Sequence, residues 1–369
     1  MANNKHIKKD NRVSRVGGWA MVFIISCSLC ISSCSTVFYQ PDEGAFDTRM
    51  SVDLNVSVSL LEMKMVGDAT SIAESNDGKD IRITVELYPT TEWGEITGER
   101  AARIVATQPF KSSTDFYQLK ETVLLEPVRY SLIVWADFVE QGTTIDKYYN
   151  TADLREVSII NTLEKGFNPQ KDAHAGKEIL NISAYKSKPS VPAQKVNVPL
   201  LRPFARYQLW TDDLRRYISQ NPGEALPLTV KTDYDISYIP LQYDIFAAKV
   251  DRRTQSLSFL RSTDNNTAVP NSENDLMLTE DYVLLENNFE ISLATFTIYR
   301  PDNTVVGTVD LEAIGKTIEL RRNELTIVSG RYLTSSPSAI RPPTTPDNPG
   351  GGTGINDRFK DEVVKILPD

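Results

Sequence analysis

The chain has 369 residues and a net charge of −9, and its three cysteines all lie within the first 34 residues. Five of the 40 basic residues but one of the 49 acidic residues precede Cys34, so residues 34–369 carry a net charge of −13. This acidic body repels phosphate backbones, which argues against nucleic acid as a partner. It is longer than one core usually serves and has no cysteine after Cys34, so we expect two domains without disulfides.

Residues 1–33 have the pattern of a secretory signal. A basic segment precedes an uncharged run from Val16 to Cys34, and the apolar part of that run is shorter than the roughly 20 residues of a membrane span. Ile31-Ser32-Ser33-Cys34 matches the bacterial lipobox, which predicts a lipoprotein signal peptide and lipidation of Cys34. Two or three acyl chains, palmitate among them, would make this attachment durable. Cys27 fits the same pattern but would keep apolar residues after the cut, and an unmodified Cys34 is the remaining alternative.

The first half after this signal reads as strands. Residues 34–49 are predicted to be a polar tether. After them, period-two alternation predicts two half-buried strands. The inward residues are Val52, Leu54, Val56 and Val58 in the first strand, and Ile81, Ile83, Val85 and Leu87 in the second. A more hydrophobic run from Arg129 to Val139 predicts a central strand. We therefore predict an N-terminal β-sandwich over residues 50–200.

The second half has the same strand spacing. Thr211 is a candidate cap for a short helix through Tyr217, closed by Asn221-Pro222-Gly223. The predicted strands are Lys195 to Leu200, Arg206 to Trp210, Leu228 to Tyr234, Asp281 to Leu285, Glu290 to Tyr299, Val305 to Leu311 and Leu325 to Val328. We therefore predict a C-terminal β-sandwich over residues 201–334.

The C-terminal end differs in composition. Residues 335–354 contain five prolines and four glycines, which predicts a linker. The segment 355–369 beyond it carries the apolar residues of a candidate donor or partner-binding tail, namely Phe359, Val363, Val364, Ile366 and Leu367. The spacing of Phe359, Val363, Ile366 and Leu367 at i, i+4, i+7 and i+8 favours a short amphipathic helix that Asn356 could cap. Such a segment is marginal when isolated, so it takes its structure from what it binds or is a disordered terminus.

Five stretches, in order, resemble the fimbrillin-like lipoproteins of Bacteroidales, which are the subunits, anchors and tips of type V fimbriae. The stretches are Tyr130 to Phe138 with the YYNTADLREV that follows, Arg202 to Leu214, Ile236 to Val250, Leu276 to Leu285 and Leu320 to Thr334. The resemblance implies an all-β chain of two tandem transthyretin-like β-sandwich domains with a flexible C-terminal tail, divided just before Arg202.

The resemblance also implies a non-enzymatic role in adhesion. Such lipoproteins are surface-exposed on the outer membrane or in the fimbrium, and their partners are other fimbrial subunits and an unidentified host or bacterial receptor. In many of them an arginine-specific protease removes the first strand, and a strand from a neighbouring subunit fills the groove by β-augmentation. Arg49, between tether and first strand, is the candidate cleavage site; if the lipid stays, the chain is an anchor or accessory protein.

Residues that carry enzymatic chemistry are scarce. His174 is the one histidine after the signal, and we expect it in an exposed loop; no cofactor or metal site is expected. Adjacent carboxylates at Asp212 and Asp213, and at Asp233 and Asp235, are expected to cap or to be solvated rather than to catalyse. The segment Ser262 to Leu276 lacks the spacing of a calcium loop and is expected to be a polar loop.

A glycan-binding surface lipoprotein is the alternative function. Exposed aromatic platforms would mark that class. Trp135 and Trp210 lie in apolar strands and are expected in the core, whereas Trp93 lies in a predicted loop.

Overall fold

The computed structural model describes nine stretches of the chain. They are residues 48–60, 78–110, 116–160, 166–223, 226–234, 240–253, 257–265, 272–334 and 363–364. Cys34 and the tether before residue 48 lie outside them. The described residues are mostly strands with one α-helix, which confirms the all-β prediction.

The N-terminal sandwich has a three-stranded sheet facing a four-stranded sheet. Its strands are β1 (Met50–Leu60), β2 (Lys79–Pro89), β3 (Ala102–Pro109), β4 (Phe116–Leu125), β5 (Arg129–Glu140), β8 (Ala173–Asn181) and β9 (Gln194–Leu200). The sheet orders are β4-β1-β9 and β3-β2-β5-β8, so β5 is central, as predicted. Alternate side chains of both sheets fill one core, which includes the eight inward residues predicted for the first two strands.

The strand β2 is buried on both faces. Its inward apolar side chains, Ile81, Ile83, Val85 and Leu87, face the core. The other face carries Arg82 and Glu86, which are nearly inaccessible to water. Arg82 pairs with Asp137 at 2.6 Å, while the buried Glu86 carboxylate accepts from Arg100 at 2.5 Å and from the Leu154 amide at 3.0 Å. The loop after β5 therefore covers this face, and each buried charge has an opposite charge beside it.

The C-terminal sandwich again packs two main sheets over one core. Its strands are β10 (Phe204–Thr211), β11 (Thr229–Tyr234), β14 (Leu257–Ser262), β15 (Leu276–Leu284), β16 (Asn288–Ile291), β17 (Ala294–Tyr299), β18 (Val305–Asp310), β19 (Ile318–Arg321), β20 (Leu325–Gly330) and β21 (Val363–Val364). The sheet orders are β15-β10-β20-β21 and β14-β11-β17-β18, with β16 and β19 as a separate pair. The segment Glu290 to Tyr299, predicted as one strand, is divided between β16 and β17.

The one described helix, α1, spans Leu214–Gln220. It begins later than predicted, because Asp213 rather than Thr211 occupies the position before its first turn, and it extends past Tyr217 to the predicted Asn221 stop. The Asp213 side chain does not cap this helix but accepts bonds from the end of the sandwich, as described below.

A further sheet is shared by the two halves of the chain. It contains β6 (Tyr149–Asn150), β7 (Val157–Ile159), β12 (Pro240–Asp244) and β13 (Lys249–Arg253) in the order β13-β12-β7-β6. A third core cluster, which includes Trp135 from the first half and Tyr282 from the second, lies between the sandwiches. The contacts keep both sandwiches within one unit.

The loop around Gly166 and Phe167 of the N-terminal half packs against residues of the C-terminal half. The Phe167 ring centre lies 4.3 Å from the Arg206 guanidinium and 5.3 Å from that of Arg261, a geometry in which the ring face attracts the cation. Gly166 has φ +79°, and a Cβ there would lie 2.5 Å from the Phe259 ring. Only glycine fits this approach without displacing that ring.

Candidate assembly site

The edge of the C-terminal sheet is formed by β20. This strand runs parallel to β10, with Arg206 opposite Leu325 and Thr211 opposite Gly330. Ile327 belongs to the core between the sandwiches, whereas Val328 belongs to the C-terminal core. The two faces of β20 are thus buried in different cores, which fixes the strand in place.

Part of the predicted tail lies on this edge. Val363 and Val364 form β21 and pair in parallel with Thr326 and Ile327. The helical spacing thus gave the wrong secondary structure at these two positions. A sheet edge supplies backbone partners to an extended segment, and a short isolated helix has too little intrinsic stability to compete. Phe359, Ile366 and Leu367 lie outside the described residues.

The chain leaves the sandwich at a fixed point. Asp213 accepts bonds from the Thr334 amide at 2.8 Å and the Thr334 hydroxyl at 2.7 Å. Thr334 is the last described residue before the predicted linker. Asp213, one of the adjacent carboxylates in the sequence, therefore binds the residue directly before the predicted linker. Asp233 forms an ion pair with Lys231 at 2.8 Å, and Asp235 lies outside the described residues.

The opposite edge of the same sheet carries a buried charge cluster. Arg206 on β10 donates to Glu280 on β15 from Nε at 3.0 Å and from Nη2 at 2.5 Å, and Arg261 donates to the other Glu280 oxygen at 2.6 Å. Arg206 and Glu280 have no exposed surface. Sequence reasoning missed this cluster, although an arginine inside the apolar run PFARYQLW was a signal that a buried partner exists.

A second buried pair lies at the junction of the sandwiches. Arg202 contacts both oxygens of Asp172, at 2.6 and 2.7 Å. Burial alone would raise the pKa of Asp172, but the charge of Arg202 and its hydrogen bonds to the carboxylate hold that pKa below its usual value. His174 is not in an exposed loop as predicted; it lies on β8, 2% exposed, where burial and Arg202 lower its pKa to about 3. It is therefore neutral at physiological pH.

Arg49, the predicted cleavage residue, is half-buried and directly precedes β1. The first four residues of β1, Met50 to Asp53, pair with β4 alone, and pairing with β9 begins at Leu54. Residues up to Asp53 can therefore fray from one neighbour, whereas the rest of β1 is held from both sides. Residues 50–81 contain no arginine.

Trp93 is the exposed aromatic residue that the sequence indicated. It is 87% exposed, whereas Trp135 and Trp210 are buried, as predicted. The turn that carries it is tied by bonds from the Gly94 amide to the Thr91 carbonyl at 3.1 Å and from the Glu95 amide to the Thr91 hydroxyl at 3.1 Å. The indole is thus presented to solvent from an ordered turn.

Two further features are absent from the described residues. No helix in those stretches has the length and hydropathy needed to cross a membrane. The same residues bring together no group of three or more His, Cys, Asp or Glu side chains that could hold a metal ion.

Comparison with known proteins gives a family and several distant structures. A family described as being of unknown function, DUF6562, matches residues 43–367. No curated protein matches the sequence.

Two similar solved structures are fimbrial proteins. A fimbrial assembly protein from Parabacteroides distasonis is 10% identical with a TM-score of 0.37, covering 78% of this chain and 93% of that one. The fimbrial anchor protein Mfa2 from Porphyromonas gingivalis is 11% identical with a TM-score of 0.35, covering 71% and 84%. Similarity at this level does not define a function for this chain.

Proposed function

Since the chain belongs to the DUF6562 family, whose function is unknown, we propose from its own geometry that it is a non-enzymatic fimbrial component that joins its neighbours by strand donation. The observation that carries this proposal is the pairing of Val363 and Val364 with the edge strand β20. Main-chain bonds along such an edge supply affinity without a dedicated pocket. The same chain thus contains both an edge and a segment able to pair with it.

The N-terminus supplies the second part of the proposal. Lipidation of Cys34 would tether the protein to the surface of the outer membrane, and cleavage after Arg49 would release it. Intact mass of the protein from its native cell surface tests both steps. A mass beginning at lipidated Cys34 supports a permanently tethered anchor or accessory protein, and a lipid-free mass beginning at Met50 supports a released subunit.

Strand donation is tested by a variant that keeps the chain length. The double substitution Val363→Asp and Val364→Asp places two charges in the pairing segment, and we expect the variant to reach the cell surface but to be missing from high-mass fimbrial ladders. Val305→Asp is the matched control, because Val305 is 52% exposed on another strand of the same sandwich. Normal incorporation of the tail variant would contradict donation by this segment.

Glycan binding is a second candidate, favoured by the exposure of Trp93. An indole face can stack on the apolar face of a sugar ring, and the buried Trp135 and Trp210 respond little to solutes. Added glycans should therefore change the tryptophan fluorescence of the protein, and Trp93→Ala should abolish that change. Phe116→Ala, at another exposed aromatic position, is the control; a response that survives Trp93→Ala would reject this site.

A further inference from the structure

Resting on the proposed strand donation, we infer that the acceptor edge is β20 in the C-terminal sandwich, and that the chain's own tail occupies it in the free monomer. The partner in assembly is then the tail of a second copy, which replaces the resident tail at Thr326 and Ile327. Two independent observations lead to this conclusion: the position of β1 and the direction of β21.

The N-terminal sandwich cannot open a groove by losing β1 to an arginine-specific cut. The one arginine close to β1 on its N-terminal side among the described residues is Arg49, and the next arginine after it is Arg82, inside β2. A cut after Arg49 therefore leaves β1 joined to the body, bonded to β4 and β9, with Val56 and its neighbours in the core. Such a cut frees the tether without creating an acceptor.

The C-terminal sheet has an edge that needs no cut. The tail pairs with two of the six residues of β20, and the identical tail of a second copy can form the same main-chain bonds there. Each such pair exchanges backbone bonds with water for bonds within the sheet. Exchange therefore needs no new contact, and concentration decides which tail is bound.

The direction of β21 explains why both arrangements are accessible. A parallel neighbour requires a crossover of about a dozen residues or more. Residues 335–362 separate Thr334 from Val363, which is 28 residues. The connection is thus long enough to return to the chain's own β20 and long enough to reach another copy. The same residues pair in both cases, as in domain swapping.

The balance between the two arrangements depends on concentration. A segment tethered within reach of its own site has an effective concentration on the order of 1 mM there. With protein at about 10 µM, the closed monomer is therefore favoured about 100-fold over exchange between copies. Shortening the connection below the crossover length removes this advantage.

A cysteine pair reports which tail occupies the edge. In the full chain with Cys27 and Cys30 changed to serine and Cys34 kept for lipidation, Thr326→Cys and Val363→Cys place two thiols at partnered positions, where strand spacing permits a disulfide. We expect an intramolecular disulfide in the free protein and intermolecular disulfides in assembled material. Leu260→Cys with Val363→Cys, on an edge strand of the other sheet, is the control and should give neither product.

A deletion makes the test independent of natural assembly. Removing residues 337–358 leaves ten residues between Gly330, the end of β20, and Val363, namely 331–336 and 359–362, fewer than the dozen or so that a parallel crossover needs. The cysteine pair should then form intermolecular disulfides, whereas a Gly/Ser segment of the original length should restore the intramolecular product. Intramolecular disulfides in the deletion variant, or no Thr326-specific disulfide in any variant, would overturn the inference.

The outcome separates this inference from the proposed function. If the Val363 and Val364 variant still blocks fimbrial incorporation while the cysteine pair forms no disulfide between copies, strand donation stands and β20 is rejected as the acceptor. If that variant assembles normally, strand donation by this tail fails whatever the disulfides show.

Discussion

The two sandwiches differ in how their sheets are closed. In the N-terminal sandwich the first strand is central, paired with β4 on one side and β9 on the other. In the C-terminal sandwich one sheet is anchored at β15 by a buried charge cluster and ends at β20, where two tail residues pair with it. The N-terminal sandwich thus has its first strand enclosed by its own strands, whereas the C-terminal sandwich has an anchored edge at β15 and a tail-covered edge at β20. Four predictions test this difference.

The largest expected effect is at the anchored edge. Glu280→Ala removes the carboxylate shared by Arg206 and Arg261, and leaving such buried charges without it costs about 3–5 kcal/mol. The unfolding midpoint in denaturant measures this loss. Glu273→Ala is the control, because Glu273 pairs with Arg215 in an exposed bridge and its loss should cost under about 1 kcal/mol. Equal effects of the two variants would show that the sheet is not anchored at β15.

Asp281, which follows Glu280 in the chain, should make the free energy of unfolding depend on pH. Burial raises the pKa of Asp281 from 3.8 to about 6, against the lowering effect of Lys171, the Tyr282 amide and the Tyr234 hydroxyl. The folded state therefore holds this proton more tightly than the unfolded state, so the free energy of unfolding falls as pH rises from about 4 to 6. The difference between the two pKa values corresponds to a loss of about 3 kcal/mol in the free energy of unfolding.

Asp281→Asn should remove that contribution to the pH dependence. Stability measured at pH 4, 5, 6 and 7 should fall less steeply with pH in the variant than in the parent protein. The contribution of Asp172, whose folded pKa is lowered, is lost instead as pH falls below about 4, so it does not mask the result. An unchanged slope between pH 4 and 6 would mean that Asp281 is ionised in the folded state.

Sequence patterns predicted the cores better than the connections between them. Alternation at Val52 to Val58 reports burial on one face, and that signal is local in the chain. The contacts of Phe167 with Arg206 and Arg261, in contrast, join residues far apart in sequence, and no period in the chain reports them. His174 was misplaced for the same reason, because its polar neighbours in sequence suggested a loop, whereas it is buried on β8 opposite Ala136 of β5.

The tail shows a further limit of sequence reasoning. Its apolar spacing favoured a helix, but secondary structure in a short segment is decided by the partner. Thr326 and Ile327 offer an extended edge, so Val363 and Val364 are strand. The candidate residues were thus identified from the sequence, while their conformation depended on a strand that is distant in the chain.

Two valines, one in β1 and one in β21, test most directly the difference between the enclosed first strand and the tail-covered edge. Val56 is fully buried in β1, and Val56→Ala should lower the free energy of unfolding by about 2–3 kcal/mol through lost burial and a cavity. Val363→Ala in β21 should change it by less than about 0.5 kcal/mol, since the edge it covers is exchangeable. Denaturant titration of both variants measures the difference, and similar losses would make the tail part of the folding core.

The smallest effect is expected where the sandwiches meet. Gly166→Ala places a methyl group 2.5 Å from the Phe259 ring and so strains the contact between the halves, an overpacking cost of about 1–3 kcal/mol. Gly142→Ala is the matched control, because Gly142 also has positive φ but a Cβ there meets nothing within 4 Å. The difference in unfolding free energy between the two variants therefore isolates the contact from the backbone strain that both share. Equal values would mean that the Phe259 ring moves aside at little cost, so the two sandwiches would be joined by the shared sheet and the charge contacts rather than by tight packing at this loop.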